Sequence, residues 1–241
     1  MNTNASLAIF KEMKLEGMHQ AYQEVLEMPI QNRPETDELL AHLLDREQQY
    51  RANKKAAMCL KMSGLRYRSS LEEITLNQER NLTKNQLLIL SSTNFIDKAQ
   101  NVIMTGATGC GKSFLACAVG QNICNLGLKV SYFNINRLIE QINLAHLNGT
   151  YVRFLNRLQK IPLLIFDDFG LKPLDKQTKL AFLQILEDRY AKHSTIFVSQ
   201  LPVSSWHQFL DDPTIADAIL DRITANAHRI ELKGKSLRIK I

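Results

Sequence analysis

The stretch MTGATGCGKSFLA, residues 104–116, sets Gly106, Gly111, Lys112 and Ser113 in the spacing G-x-x-x-x-G-K-S. Glycines at both ends of such a loop let the backbone curl until its N–H groups converge on one point. A helix starting there adds the positive end of its dipole, and together they hold phosphate. The flanks supply the context this spacing needs: Asn101–Thr105 reads as a buried strand and SFLACAVGQNIC as a helix. Gly106, Ala107, Thr108, Gly109, Cys110, Gly111, Lys112, Ser113 and Phe114 are therefore the expected nucleotide cradle. In it, Lys112 reaches the β- and γ-phosphates and the Ser113 hydroxyl ligates Mg²⁺.

A loop of this kind calls for an apolar strand ending in acid. LLIFDDFG, residues 163–170, meets that demand. Asp167 is the expected Mg²⁺ residue, acting through water, and Asp168 the one that orients an attacking water. A polar residue on a strand between these two should complete the set. STIFVSQLP offers Ser199 and Gln200, and Gln200 is preferred as the contact to the γ-phosphate or the water.

The rest of the second half alternates strand and helix patterns. Strands are expected at Val102–Met104, Lys129–Phe133, Leu163–Phe166, Ile196–Ser199 and His228–Leu232. Helices are expected near 112–125, 136–147, 150–159, 176–191 and 214–225. This alternation implies an α/β fold, a parallel five-stranded sheet between helices.

The first 68 residues read as all-helical, with one helix from Asn4 or Ser6 to about Glu24 and a second capped by Thr36. Residues 69–100 read as a linker, and 101–241 as the nucleotide domain. From Arg51 to Arg68 there is no acidic residue. At helical spacing Arg51, Lys54, Lys55 and Lys61 share one face, and Arg66 and Arg68 extend the basic run. Such a stripe can track a nucleic-acid backbone, and a net charge of +6 permits this without requiring it.

Several classes are disfavoured. No apolar run reaches the roughly 20 residues of a membrane span, and the N-terminus lacks a signal-peptide pattern, so a cytoplasmic protein without membrane contact is expected. The four cysteines form no C-x-x-C pair, which argues against a zinc site. No Ser/His/Asp set, acceptor pocket or Arg-rich lid points to a small-molecule kinase.

Taken together, these blocks resemble the AAA+ superfamily, and within it the IstB-type helper ATPases of insertion-sequence transposition. LEGMHQAY and LLDREQQYR resemble that family's helical-domain signatures. NVIMTGATGCGKSFLACAVG, LLIFDDFG, STIFVSQLPVSSWH and IADAILDRITANAHRIEL resemble its core blocks, and KGKSLR resembles its G-x-S-x-R ending. The resemblance implies Mg²⁺-dependent ATP hydrolysis that drives homo-oligomer assembly on double-stranded DNA and presents it to a cognate transposase. The DnaC- and DnaI-type helicase loaders share the core and form the alternative. By the same resemblance Arg222, in ILDRI, stands where AAA+ proteins place an arginine finger for the neighbouring subunit's γ-phosphate. Arg189 is a weaker candidate for that role. Arg238 is a doubtful second sensor, because the chain ends too soon for the usual full helical lid.

Overall fold

The computed structural model describes residues 3–76 and 78–237, which fall into two compact units, Met1–Met58 and Cys59–Ile241. The first unit holds α1 (Thr3–Glu12), α2 (Glu16–Glu27) and most of α3 (Thr36–Ser63). Where the sequence suggested one N-terminal helix, there are two. Lys14 adopts a left-handed backbone (φ 58°), Leu15 N–H donates to Phe10 O at 2.8 Å, and Lys14 N–H donates to Lys11 O at 3.0 Å. This paired closure ends α1 and redirects the chain. Gly17 then brings α2 close to α3, since a Cβ there would lie 2.5 Å from Arg46 O. α3 begins at Thr36 itself, with Leu39 N–H bonded to Glu35 O at 2.8 Å, so the cap falls one residue earlier than the sequence suggested.

The second unit runs α4 (Lys84–Ser91), α5 (Asn94–Asp97), β1 (Asn101–Gly106), α6 (Lys112–Asn125), β2 (Val130–Asn134), α7 (Ile135–Leu147) and α8 (Tyr151–Gln159). It continues with β3 (Leu163–Phe169), α9 (Lys176–Arg189), β4 (Ser194–Ser199), α10 (Trp206–Leu210), α11 (Pro213–Thr224) and β5 (Ala227–Leu232). All five strands pair in parallel, in the order β2-β3-β4-β1-β5. Alternate residues feed opposite faces. Ile103, Leu164, Phe166 and Phe197 enter one apolar cluster, and Val102, Met104, Leu163, Ile165, Ile196 and Val198 the other. Burial on both faces is why these strands read as continuous apolar runs.

Residues 69–100 carry more structure than a linker needs. Thr83 and Gln86 form a reciprocal cap that starts α4. Leu82, Leu90, Phe95 and Ile96 are buried in the second cluster, against the sheet. The division between units falls at 58/59, inside α3, whereas the sequence reading placed it at 68.

Candidate nucleotide site

The phosphate loop leaves the C-terminal end of β1 and enters α6. Gly106, at φ 142°, lies under β5, and a Cβ there would stand 2.1 Å from Leu232 O, so no larger residue fits. Gly111, at φ 93°, starts the helix. Lys112 is buried and its ammonium donates to Gly106 O and Ala107 O, both at 2.8 Å, which fixes the curl of the loop. Cys110 is also buried, with Sγ 3.8 Å from Lys112 Nζ.

Two consecutive strand residues ordinarily face opposite ways. The register of β3 against β4 shifts between Phe166 and Phe169, and Asp168 takes a left-handed backbone (φ 61°). This bulge re-aims the second carboxylate, so both acids face the loop side. Asp167, fully buried, accepts from Ser113 Oγ at 3.0 Å and from the Tyr132 hydroxyl at 2.5 Å. Burial, followed by this bond, pushes the Tyr132 phenol well above its usual pKa, so it remains a donor. Asp168 accepts from Asn134 Nδ2 at 2.6 Å and lies 3.9 Å from Arg66 Nη1. Burial and then the neighbouring Asp167 raise its pKa, while Arg66 and Asn134 oppose the rise.

A cavity of about 630 Å³ opens over the loop, within the usual size of a small-ligand site. Thr108, Gly109, Gly111, Lys112, Ser113, Phe114, Asp168 and Gln200 line it. Gln200 stands just past β4, between the first two motif strands, and its Oε1 accepts from Thr108 Oγ1 at 2.5 Å. Ser199 instead turns inward, donating to Phe169 O at 2.6 Å. The Ser113 hydroxyl and Asp167 carboxylate converge as oxygen donors suited to Mg²⁺. Among the described residues there is no cluster of three or more His, Cys, Asp or Glu that could hold a metal.

The opposite wall was missed by sequence reasoning. Arg66, Tyr67, Glu73, Ile74, Thr75 and Arg80 line it, together with Leu237 from the C-terminal segment, whose N–H donates to Gly109 O at 2.9 Å. Tyr132 and Asn134 were missed too; their position at the end of a strand adjoining the acidic one was the available signal.

Of the remaining expected residues, Arg66, expected on the basic run, lines the nucleotide cavity, and the others lie elsewhere. Arg51, Lys54, Lys55, Lys61 and Arg68 are exposed, with Arg51 held 2.7 Å from Glu47 and Lys54 5.8 Å from the Tyr50 ring centroid. Arg222 bonds to Glu187 and to Ala218 O, outside the cavity. Arg189 is 2 % exposed and donates to Leu158 O, Ile161 O, Ser194 O and Thr195 Oγ1. A guanidinium so enclosed cannot reach a neighbouring subunit, so its candidacy as an arginine finger falls. Arg238 lies outside the described residues.

Phosphate loop, strand-end acids and a polar residue just past the intervening strand, on this parallel sheet, are the parts of an α/β P-loop NTPase fold of the AAA+ type. The model of the family described as IstB-like ATP binding protein matches residues 8–241, and the chain belongs to that family. An insertion sequence ATP-binding protein of Sinorhizobium fredii is 40% identical over 99% of this chain and 97% of its own length. The ATP-binding protein of insertion sequence IS1162 from Pseudomonas fluorescens is 35% identical over 85% of this chain and 89% of its own. The crystal structure of DnaI matches with a TM-score of 0.57 at 20% identity, over 69% of this chain and 92% of that one, a likeness of fold. Among the described residues no helix is long and apolar enough to cross a membrane.

Proposed function

We propose that this ATP-binding protein is an ATP-dependent assembly factor for insertion-sequence transposition. It oligomerises on double-stranded DNA, presents that DNA to a transposase, and hydrolyses ATP at sites completed between subunits. The position of Arg222 carries the reading. Its carbonyl accepts from Asn101 Nδ2 at 3.0 Å, at the first residue of β1, whereas the phosphate loop follows the last residue, Gly106. A six-residue strand spans about 17–20 Å, so Arg222 is beyond reach of its own chain's nucleotide. As a catalytic cation it can serve only a neighbour, and leaving Glu187 would free it to do so. In each pocket Lys112 and the loop N–H groups hold the phosphates, Asp168 orients water and Gln200 contacts the γ-phosphate or that water. Mg²⁺, held by Ser113 with Asp167 behind it, would neutralise charge on the phosphates. The basic residues Lys54, Lys55 and Lys61 of α3 support contact with a phosphate backbone. Insertion-sequence relatives favour this reading over a helicase loader.

The test is a mixing experiment. Arg222→Ala should bind ATP without hydrolysing it, and Lys112→Ala should do neither. Mixed, they should regain turnover where an intact pocket meets an intact arginine. If ATPase activity stays at the level of the separate variants at every mixing ratio, the intersubunit role is wrong.

A further inference from the structure

Arg66 belongs in sequence to the basic run from Arg51 to Arg68, and its side chain lines the nucleotide cavity. The segment 65–69 is fastened to α6 at two points. Leu65 packs over Gly120, where a Cβ would lie 2.8 Å from Leu65 Cδ2, and Ser69 Oγ donates to Phe114 O at 3.3 Å. Between these anchors Arg66 Cζ lies 5.2 Å from the Tyr67 ring centroid, with Asp168 at 3.9 Å. That last separation is too long for a direct hydrogen bond. A guanidinium has five donors in a planar fork, and this one is 46% exposed within the wall of the nucleotide cavity. Donors therefore remain for a further anion on the cavity side.

We propose that Arg66 contacts the terminal phosphate of the chain's own ATP and is the cis residue by which the cavity distinguishes ATP from ADP. The proposal rests on the ATP site described above. The loop N–H groups and Lys112 hold the phosphates from the loop side, with Lys112 reaching the β- and γ-phosphates, while Arg66 stands 3.9 Å from Asp168, the carboxylate assigned to the attacking water, and would add a second cation at the terminal phosphate. A phosphate oxygen there is a stronger partner for the fork than Asp168 at its present distance. Because Arg66 follows α3 almost directly, the contact would also tie the end of that helix to the state of the nucleotide. The competing role for Arg66 is a base contact shared with Tyr67, which would serve ATP and ADP alike.

Calorimetric titration of the full chain with Mg²⁺ and either ADP or the β,γ-imido analogue of ATP separates the two. Arg66→Ala should weaken the analogue about tenfold or more, ~1.4 kcal/mol, and ADP less than threefold. Arg66→Lys should recover part of the loss, because it restores the charge without the fork. Retained ADP binding is the control for folding. Equal losses for both nucleotides, or none for either, would overturn the proposal. If the wild-type chain bound neither nucleotide, the site assignment itself would fail.

Discussion

Arg189 and Arg222 both stand in the last turns of helices, and in sequence they look interchangeable. Their surroundings separate them. Arg189 satisfies three backbone carbonyls and a hydroxyl from inside the core. Removing it leaves those acceptors buried and unpaired, so Arg189→Ala should lower the unfolding free energy by about 3 kcal/mol. Arg222 holds a half-exposed glutamate, and Arg222→Ala should change stability by less than about 1 kcal/mol. Urea denaturation midpoints of the two variants would contradict this assignment if they fell together. The nucleotide-binding residues were legible because the loop motif is local and its glycines have a stereochemical reason. Arg66 was not legible. Its partner Asp168 is about a hundred positions away, and a turn after α3, invisible to helical periodicity, takes it off the basic face. The bulge that lets Asp167 and Asp168 face the same way is equally absent from any pattern of hydrophobicity.

Among elements, the five strands and the five helices expected between them stand close to where alternation placed them, since strands buried on both faces have a distinctive composition. The N-terminal helices were harder. The break after α1 rests on a lysine in a left-handed conformation, a place where glycine or asparagine would have been the signal. The α2–α3 contact rests on Gly17 and on Glu47, whose carboxylate accepts from Met18 N–H at 3.1 Å and Arg51 Nε at 2.7 Å. Burial alone would raise the Glu47 pKa, but Arg51 and the N–H groups of Met18 and Gly17 outweigh it and hold the carboxyl below the usual glutamate range. The folded state thus favours the ionised form. Its stabilisation is complete above the unfolded glutamate pKa, about 4.3, and is lost as pH falls through the depressed folded value. Wild type should exceed Glu47→Gln by about 1 kcal/mol in unfolding free energy at pH 7, with the gap closing toward pH 3. A gap independent of pH would show that the carboxylate charge is not what matters. The segment 69–100 looked like a linker because its helices are short; its burial comes from scattered leucines and Phe95 meeting a sheet face distant in sequence.

At the scale of the molecule, the chain joins a helical unit carrying most of the exposed basic residues of α3 to an α/β unit that holds the nucleotide cavity. A small-molecule enzyme needs an acceptor site beside its phosphates. Here part of the cavity wall comes from Arg66, Tyr67, Glu73, Ile74, Thr75, Arg80 and Leu237, and on the proposed reading that wall senses the nucleotide and passes its state along the chain. Binding of the purified protein to random-sequence duplex DNA, with ATP, ADP or no nucleotide and with particle mass recorded in parallel, tests this most directly. The account predicts sequence-tolerant binding as a large oligomer with ATP, weakening as salt rises, and little binding with ADP or without nucleotide. Binding that ignores the nucleotide, or a monomer that never engages duplex DNA, would contradict it.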